Sequence, residues 1–184
     1  MEKRVFVVHC WGGKPNTRWY PWLKRELEKK HFKVQVLAMP NTGHPRMEPW
    51  ANTLKKAVGK PDKDCYFVGH SVGCITILRY LENIKAKTGG TVMVAGFASD
   101  LAYDDLKTFF KTPIEWKKIK AHSKRFVAIH SDNDPYVSLH YGNDIFKDKL
   151  KAKVVVEHNM GHFSIDNNVA KLPSALKAVL ELSK

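Results

Sequence analysis

Asp64-Cys65-Tyr66-Phe67-Val68-Gly69-His70-Ser71-Val72-Gly73-Cys74-Ile75-Thr76-Ile77-Leu78 reads as a strand, a tight turn and a helix in direct succession. The run before Gly69 is apolar, β-branched and aromatic, as a strand covered on both faces should be. After Gly73 the apolar positions fall at helical spacing, Cys74-x-x-Ile77-Leu78-x-x-Leu81. Gly-x-Ser-x-Gly alone is a weak pattern, expected by chance in roughly one chain of this size in twenty. Its setting gives it content. A strand-turn-helix elbow forces the serine into a strained backbone with its hydroxyl exposed, and glycines there let helix and strand approach. The helix N-terminus behind Ser71 favours negative charge developing beside it. Ser71 is therefore the candidate nucleophile, against the plainer reading of a glycine-lined turn with an incidental serine.

A serine hydroxyl needs a base, and the base needs a carboxylate to fix its tautomer. Of nine histidines, His162 in Met160-Gly161-His162-Phe163 follows the last strand pattern, Val154-Val155-Val156-Glu157. That places it at the carboxyl end of the sheet, with the elbow. His158 lies nearer the strand and is the competitor. After the strand pattern Phe126–His130 comes Ser131-Asp132-Asn133-Asp134-Pro135-Tyr136-Val137. Either aspartate could serve only as a cap or turn residue. Asp134 is the candidate acid, from the Asp-x-x-Val spacing, and Asp132 the turn former. Ser71, Asp134 and His162 then follow three different strands in that order. For the oxyanion, the expected donors are the backbone N–H of Val72 and that of Trp11, in the loop His9-Cys10-Trp11-Gly12-Gly13.

Working outward from the elbow, strand patterns at Arg4–Val8, Lys33–Ala38, Cys65–Gly69, Thr91–Ala95, Arg125–Ile129 and Lys153–Glu157 alternate with helical ones. The helical stripes include Leu23 and Leu27 after Pro21, Trp50-x-x-x-Leu54-x-x-x-Val58, and Leu172-x-x-x-Leu176-x-x-Val179-Leu180. Repeated β-α-β connections predict an α/β domain over 1–184, a parallel sheet with helices on both faces. The interval 97–124 breaks the rhythm. Its aromatics, at the strand end where α/β proteins bind ligands, suit a small helical cap as well as a plain crossover.

Composition bounds the function. The 184 residues are 43% hydrophobic and 27% charged, ordinary for one globular domain. No apolar run is long enough to span a bilayer, and the short run after Lys3-Arg4 lacks the features of a signal peptide, so a cytoplasmic protein is expected. Cys10, Cys65 and Cys74 have no pairing pattern that suggests disulfides or zinc. The net charge of +13 raises the question of nucleic acid. Acidic residues interrupt the lysines and no nucleic-acid motif accompanies them, so a solvated basic surface is the reading. No metal or cofactor fingerprint appears.

Val7-Val8-His9-Cys10-Trp11-Gly12-Gly13, Trp19-Tyr20-Pro21-Trp22-Leu23, Met39-Pro40-Asn41, Val68–Gly73, Ser131–Pro135 and Gly161-His162-Phe163 together resemble the small serine hydrolases related to retinoblastoma-binding serine hydrolase and bacterial YdeN-type proteins. The resemblance covers essentially the whole chain. It implies a minimal three-layer α/β-hydrolase fold, a six-stranded parallel sheet of order 2-1-3-4-5-6 with helices on both faces. It also implies a Ser-Asp-His triad on Ser71, Asp134 and His162, and esterase-like or peptidase-like activity. Cys10 stands where the family's oxyanion loop has its first glycine. The expected substrate is a small acyl compound, with a carboxylic ester leading and an amide as the alternative. Trp11, Phe97, Phe109, Phe110, Tyr136 and Phe163 are candidates to line its pocket. From another class, a non-catalytic protein binding a partner through its basic surface is the rival reading.

Overall fold

A computed structural model describes every residue except Met1, Ile165 and Asn168. Strands β1 (Arg4–Val8), β2 (Lys33–Val36), β3 (Cys65–His70), β4 (Gly90–Val94), β5 (Phe126–Ser131) and β6 (Lys153–Glu157) form one parallel sheet in the order β2-β1-β3-β4-β5-β6. This is the order implied by the resemblance. The central strands β3, β4 and β5 are buried along their whole length, as their unbroken apolar runs require. β2 and β6 differ: as the sheet's edges they leave Lys33, Gln35, Lys153 and Val156 exposed.

Helices α1 (Tyr20–Glu28) and α6 (Pro173–Leu182) cover one face. Helices α2 (Met47–Val58), α3 (Val72–Leu81), α4 (Trp116–His122) and the short α5 (Lys147–Leu150) cover the other. α1 buries Tyr20, Leu23 and Leu27, with Pro21 in its first turn; Trp22 is only partly covered. α2 buries Trp50, Leu54 and Val58, the stripe read from their spacing. In α6 the buried residues are Ala175, Ala178, Val179 and Leu182; of the Leu172-Leu176-Val179-Leu180 pattern, Leu172 (just before the first turn) and Val179 are buried, while Leu176 and Leu180 are only partly covered.

α3 is the centre of its layer, and all ten of its residues are buried. Arg79 lies within that layer. Its guanidinium donates to the carbonyls of Phe109 at 2.7 Å, Thr112 at 2.6 Å and Pro113 at 3.2 Å, and pairs with Glu82 at 2.9 Å. Glu82 in turn accepts the N–H of Glu115 at 2.8 Å. The interval between β4 and β5 holds a 3-10 segment (Asp104–Phe110) and α4, with Pro113 between them, and this one buried ion pair fastens it to α3.

The chain turns to opposite sides of β1 on leaving β1 and β3, since β2 lies beyond one edge of β1 and β4 beyond β3. Loops leaving the carboxyl ends of β1 and β3 therefore diverge, and the crevice they leave is where an open α/β sheet binds ligands. Among the described residues, no helix is long and apolar enough to cross a membrane.

Candidate active site

Ser71 occupies that crevice, between the last residue of β3 and the first of α3. Its backbone is left-handed, φ 55° and ψ −120°, a conformation that costs a non-glycine residue of order 1–3 kcal/mol. The strain is held in place by the N–H of Ser71 donating to the Val94 carbonyl at 2.8 Å. The two flanking glycines are steric necessities. A Cβ on Gly69 would lie 2.7 Å from the backbone of Cys74, and one on Gly73 would lie 2.1 Å from the Val8 carbonyl oxygen. Helix and strand can close on Ser71 only without those atoms.

His162 reaches it from the loop after β6. Its Nε2 lies 3.0 Å from Ser71 Oγ, and its Nδ1 lies 2.8 Å from Asp134 Oδ2. A carboxylate only accepts, so Nδ1 carries the proton and Nε2 is free to accept from the serine. The Asp134 side chain is 1% exposed. Its other oxygen accepts the N–H groups of Tyr136 at 2.9 Å and Val137 at 3.1 Å, which fixes the carboxylate in its turn. The rival pair meets elsewhere. Asp132 Oδ2 lies 2.5 Å from His158 Nδ1, and the His158 side chain is 78% exposed. Asp132 also accepts the Asn159 N–H at 2.9 Å, so it anchors the start of the histidine loop rather than serving only its own turn.

That loop is held at several further points. Gly161 and Phe163, on either side of His162, both have φ 51°. The Met160 N–H donates to Ser131 Oγ at 3.0 Å and the Gly161 N–H to Asn133 Oδ1 at 2.8 Å. The loop after β5 thus supports both Asp134 and the backbone that carries His162.

A second support is His70, the residue beside the nucleophile. Its Nε2 lies 2.9 Å from the His162 carbonyl oxygen, which can only accept, so Nε2 carries the proton. Nδ1 then accepts from the Tyr20 hydroxyl at 2.6 Å, and the Tyr20 oxygen accepts the Cys10 N–H at 3.2 Å. This chain needs a neutral His70. Burial, then the neighbouring His162, then Arg18, hold its pKa well below the ordinary histidine value. Burial also pushes the Tyr20 hydroxyl well up, keeping it a donor.

The β1 loop is pinned as firmly. His9 Nδ1 donates to the Cys10 carbonyl at 2.8 Å and its Nε2 accepts the Met39 N–H at 3.3 Å. Gly12 and Gly13 donate to Thr42 and Cys10 carbonyls, and the Trp11 indole donates to Gly43 at 2.8 Å. The Trp11 N–H makes no hydrogen bond among the described residues. As the first residue of α3, Val72 has no helical partner for its N–H either.

A cavity of about 340 Å³ opens over Ser71, Val72 and His162. Of the candidate pocket residues, Trp11, Phe97 and Tyr136 line it, joined by Leu101, Tyr103 and Leu106 from the interval 97–124. Three expected lining residues are elsewhere. Phe109 is buried edge-on against Trp50, Phe110 packs behind Phe97, and Phe163 is buried against His70 on the opposite face of the sheet. Phe109 and Phe163 are fully within the core, and the partly covered Phe110 lies outside the cavity lining. Tyr20, His70, Ser131 and Asn133 were not singled out by sequence reasoning. Only His70 had a local signal, its place inside the pentapeptide.

With this geometry in view, relatives confirm the kinship. The family model "Serine hydrolase" matches residues 5–181. Hydrolase YdeN of Bacillus subtilis (strain 168) is 32% identical over 176 residues, 94% of this chain and 92% of that protein. Serine hydrolase RBBP9 of Rattus norvegicus is 28% identical over 165 residues, covering 88% of this chain and 87% of that one. The crystal structure of the B. subtilis ydeN product superposes with a TM-score of 0.93 at 30% identity, covering 98% of both chains. Est1E from Butyrivibrio proteoclasticus shares the fold, with a TM-score of 0.72 at 13% identity, 99% of this chain and 89% of that one. The chain belongs to the serine hydrolase family, on an α/β-hydrolase fold.

Proposed function

We propose that the chain is a carboxylesterase-like serine hydrolase acting on small acyl esters through Ser71, His162 and Asp134. The observation that carries this reading is the continuous hydrogen-bonded line from Ser71 Oγ through the His162 ring to a buried Asp134 carboxylate. In the first half-reaction, Ser71 Oγ attacks the acyl carbon while His162 Nε2 takes its proton. The carbonyl oxygen becomes an oxyanion held by the N–H groups of Trp11 and Val72. Collapse of the tetrahedral intermediate breaks the bond to the alcohol oxygen, which receives the proton from His162, and leaves an acyl-serine. Water then repeats the sequence: His162 takes its proton, the ester to Ser71 breaks, and Ser71 regains its hydrogen as the acid departs. Asp134 stays ionised throughout and stabilises the imidazolium.

The cavity volume stands at the small end of the range for ligand pockets, which favours a short acyl chain. Phe97, Leu101, Tyr103 and Leu106 supply its apolar wall, so the interval 97–124 serves as a small cap. The same groups would cleave an amide. A panel of p-nitrophenyl esters of increasing acyl length, run beside aminoacyl amides, tests the assignment. Turnover of short esters, absent after Ser71→Ala, is the expected result; turnover of amides alone would replace the esterase reading with an amidase one.

A further inference from the structure

Arg25 is exposed on α1, and among the remaining arginines Arg18 stands out. Arg4 pairs with Asp62, Arg46 with Asp105 and Arg79 with Glu82, while Arg125 donates to two carbonyls. Arg18 holds no carboxylate or carbonyl among the described residues, although its Nε is closed off from solvent without a partner. It lines the same cavity as Ser71, as do Cys10 and Trp11 from the same β1 loop. Its backbone lies in the left-handed region at φ 58°, one step before the buried Trp19 and Tyr20 begin α1. A half-buried guanidinium at a cavity wall, on a strained backbone and with no ion pair among the described residues, has the chemistry to meet an anion.

We propose that Arg18 recognises a carboxylate on the acyl side of the substrate, so that the enzyme acts on esters of dicarboxylic acids in which one acid group is free. This rests on the ester reading above and adds the substrate class. The side follows from the reaction geometry. The departing alcohol must take its proton from His162, so it lies toward His162 and Tyr136. The acyl chain is assigned to the β1 loop, which carries the expected oxyanion donor Trp11 together with Cys10 and Arg18, all three in the cavity lining. The charge also follows. Among the described residues, Asp166 is the one acidic side chain in the lining; it is exposed and forms no ion pair with Arg18. A single guanidinium suits a singly charged carboxylate, whose two oxygens match its fork, rather than a multiply charged phosphate.

The test compares the p-nitrophenyl half-ester of glutaric acid with p-nitrophenyl pentanoate, which has the same number of acyl carbons and no charge. Hydrolysis by the Ser71→Ala protein is subtracted as background. The expected result is a preference for the half-ester in kcat/KM that falls at least tenfold in Arg18→Gln, with the loss carried by KM, and that rises in Asp166→Asn. A ratio that Arg18→Gln leaves within twofold, or an equal slowing of both esters, overturns the proposal. Calorimetry of glutarate binding to Ser71→Ala separates this from failure of the ester reading. Binding at least tenfold weaker after adding Arg18→Gln supports the assignment even if no ester turns over, and equal binding rejects it.

Discussion

His70 Nε2 donates to the carbonyl oxygen of His162 at 2.9 Å, so the residue next to the nucleophile holds the backbone of the residue that would serve as its base. Through Tyr20 the same histidine reaches the N–H of Cys10, beside the expected oxyanion donor Trp11. One buried imidazole therefore sets the relative positions of three loops that leave the sheet separately.

Tyr20→Phe should break that arrangement while keeping the ring. It leaves the Cys10 N–H and His70 Nδ1 buried without partners, which costs about 1–3 kcal/mol. Loosening both loops should lower kcat for a short ester by roughly tenfold to a hundredfold. Urea unfolding and ester kinetics check the two effects; a variant as active as the parent would show that the network does not position the site.

Asp134→Asn should lower kcat by about a thousandfold or more, because an amide no longer enforces the Nδ1–H tautomer of His162. Asp132→Asn, which keeps an oxygen for the Asn159 N–H, and His158→Asn should each stay within a few-fold of the parent, since their pair lies at the surface. Ester kinetics of the three variants decide between the acids. Equal losses at Asp132 and Asp134 would count against the Asp134 assignment.

Stability should fall in acid because buried histidines stay neutral in the native state. His130 is fully buried with neither ring nitrogen bonded among the described residues, and burial, its largest influence, takes its pKa from 6.5 to about 4. Burial also lowers His9 and His70. Between pH 6.5 and about 4 the unfolded chain binds more protons at His130 than the folded one, so stability drops as pH falls through that window and is flat above it. His130 alone should account for about 3 kcal/mol of the loss. Urea midpoints for the parent and His130→Phe at pH 7 and pH 4.5 measure it; parallel declines would contradict this origin.

Arg79→Met should be among the most destabilising substitutions, by about 3–5 kcal/mol, because it leaves Glu82 buried and uncompensated. Arg79→Met with Glu82→Leu should recover part of that loss. Thermal unfolding reads both, and a single variant within 1 kcal/mol of the parent, on the order of experimental scatter for a surface change, would refute the anchoring role.

Much of this was legible in the sequence where the signal is local. The elbow, the strands around it and the order of Ser71, Asp134 and His162 depend on short stretches whose chemistry is set within a few residues. The choice between Asp134 and Asp132 could be weighed from spacing, but their separation rests on burial, which spacing does not report. Phe109, Phe110 and Phe163 were expected at the pocket because aromatics near a strand end can face either ligand or core; packing against Trp50, Phe97 and His70 decides it. The Tyr20–His70 bond spans 50 residues, and Arg79 reaches carbonyls more than 30 residues away. Contacts of that range leave no periodic trace in the chain.

The most direct measurement is labelling by a fluorophosphonate, which reacts with a serine only when it is activated. The parent protein should become covalently modified on the Gly69–Gly73 peptide, with Ser71→Ala unlabelled and His162→Ala labelled far more slowly. Undiminished labelling of Ser71→Ala, or a folded parent that takes up no label, would contradict the assignment of Ser71 as the nucleophile.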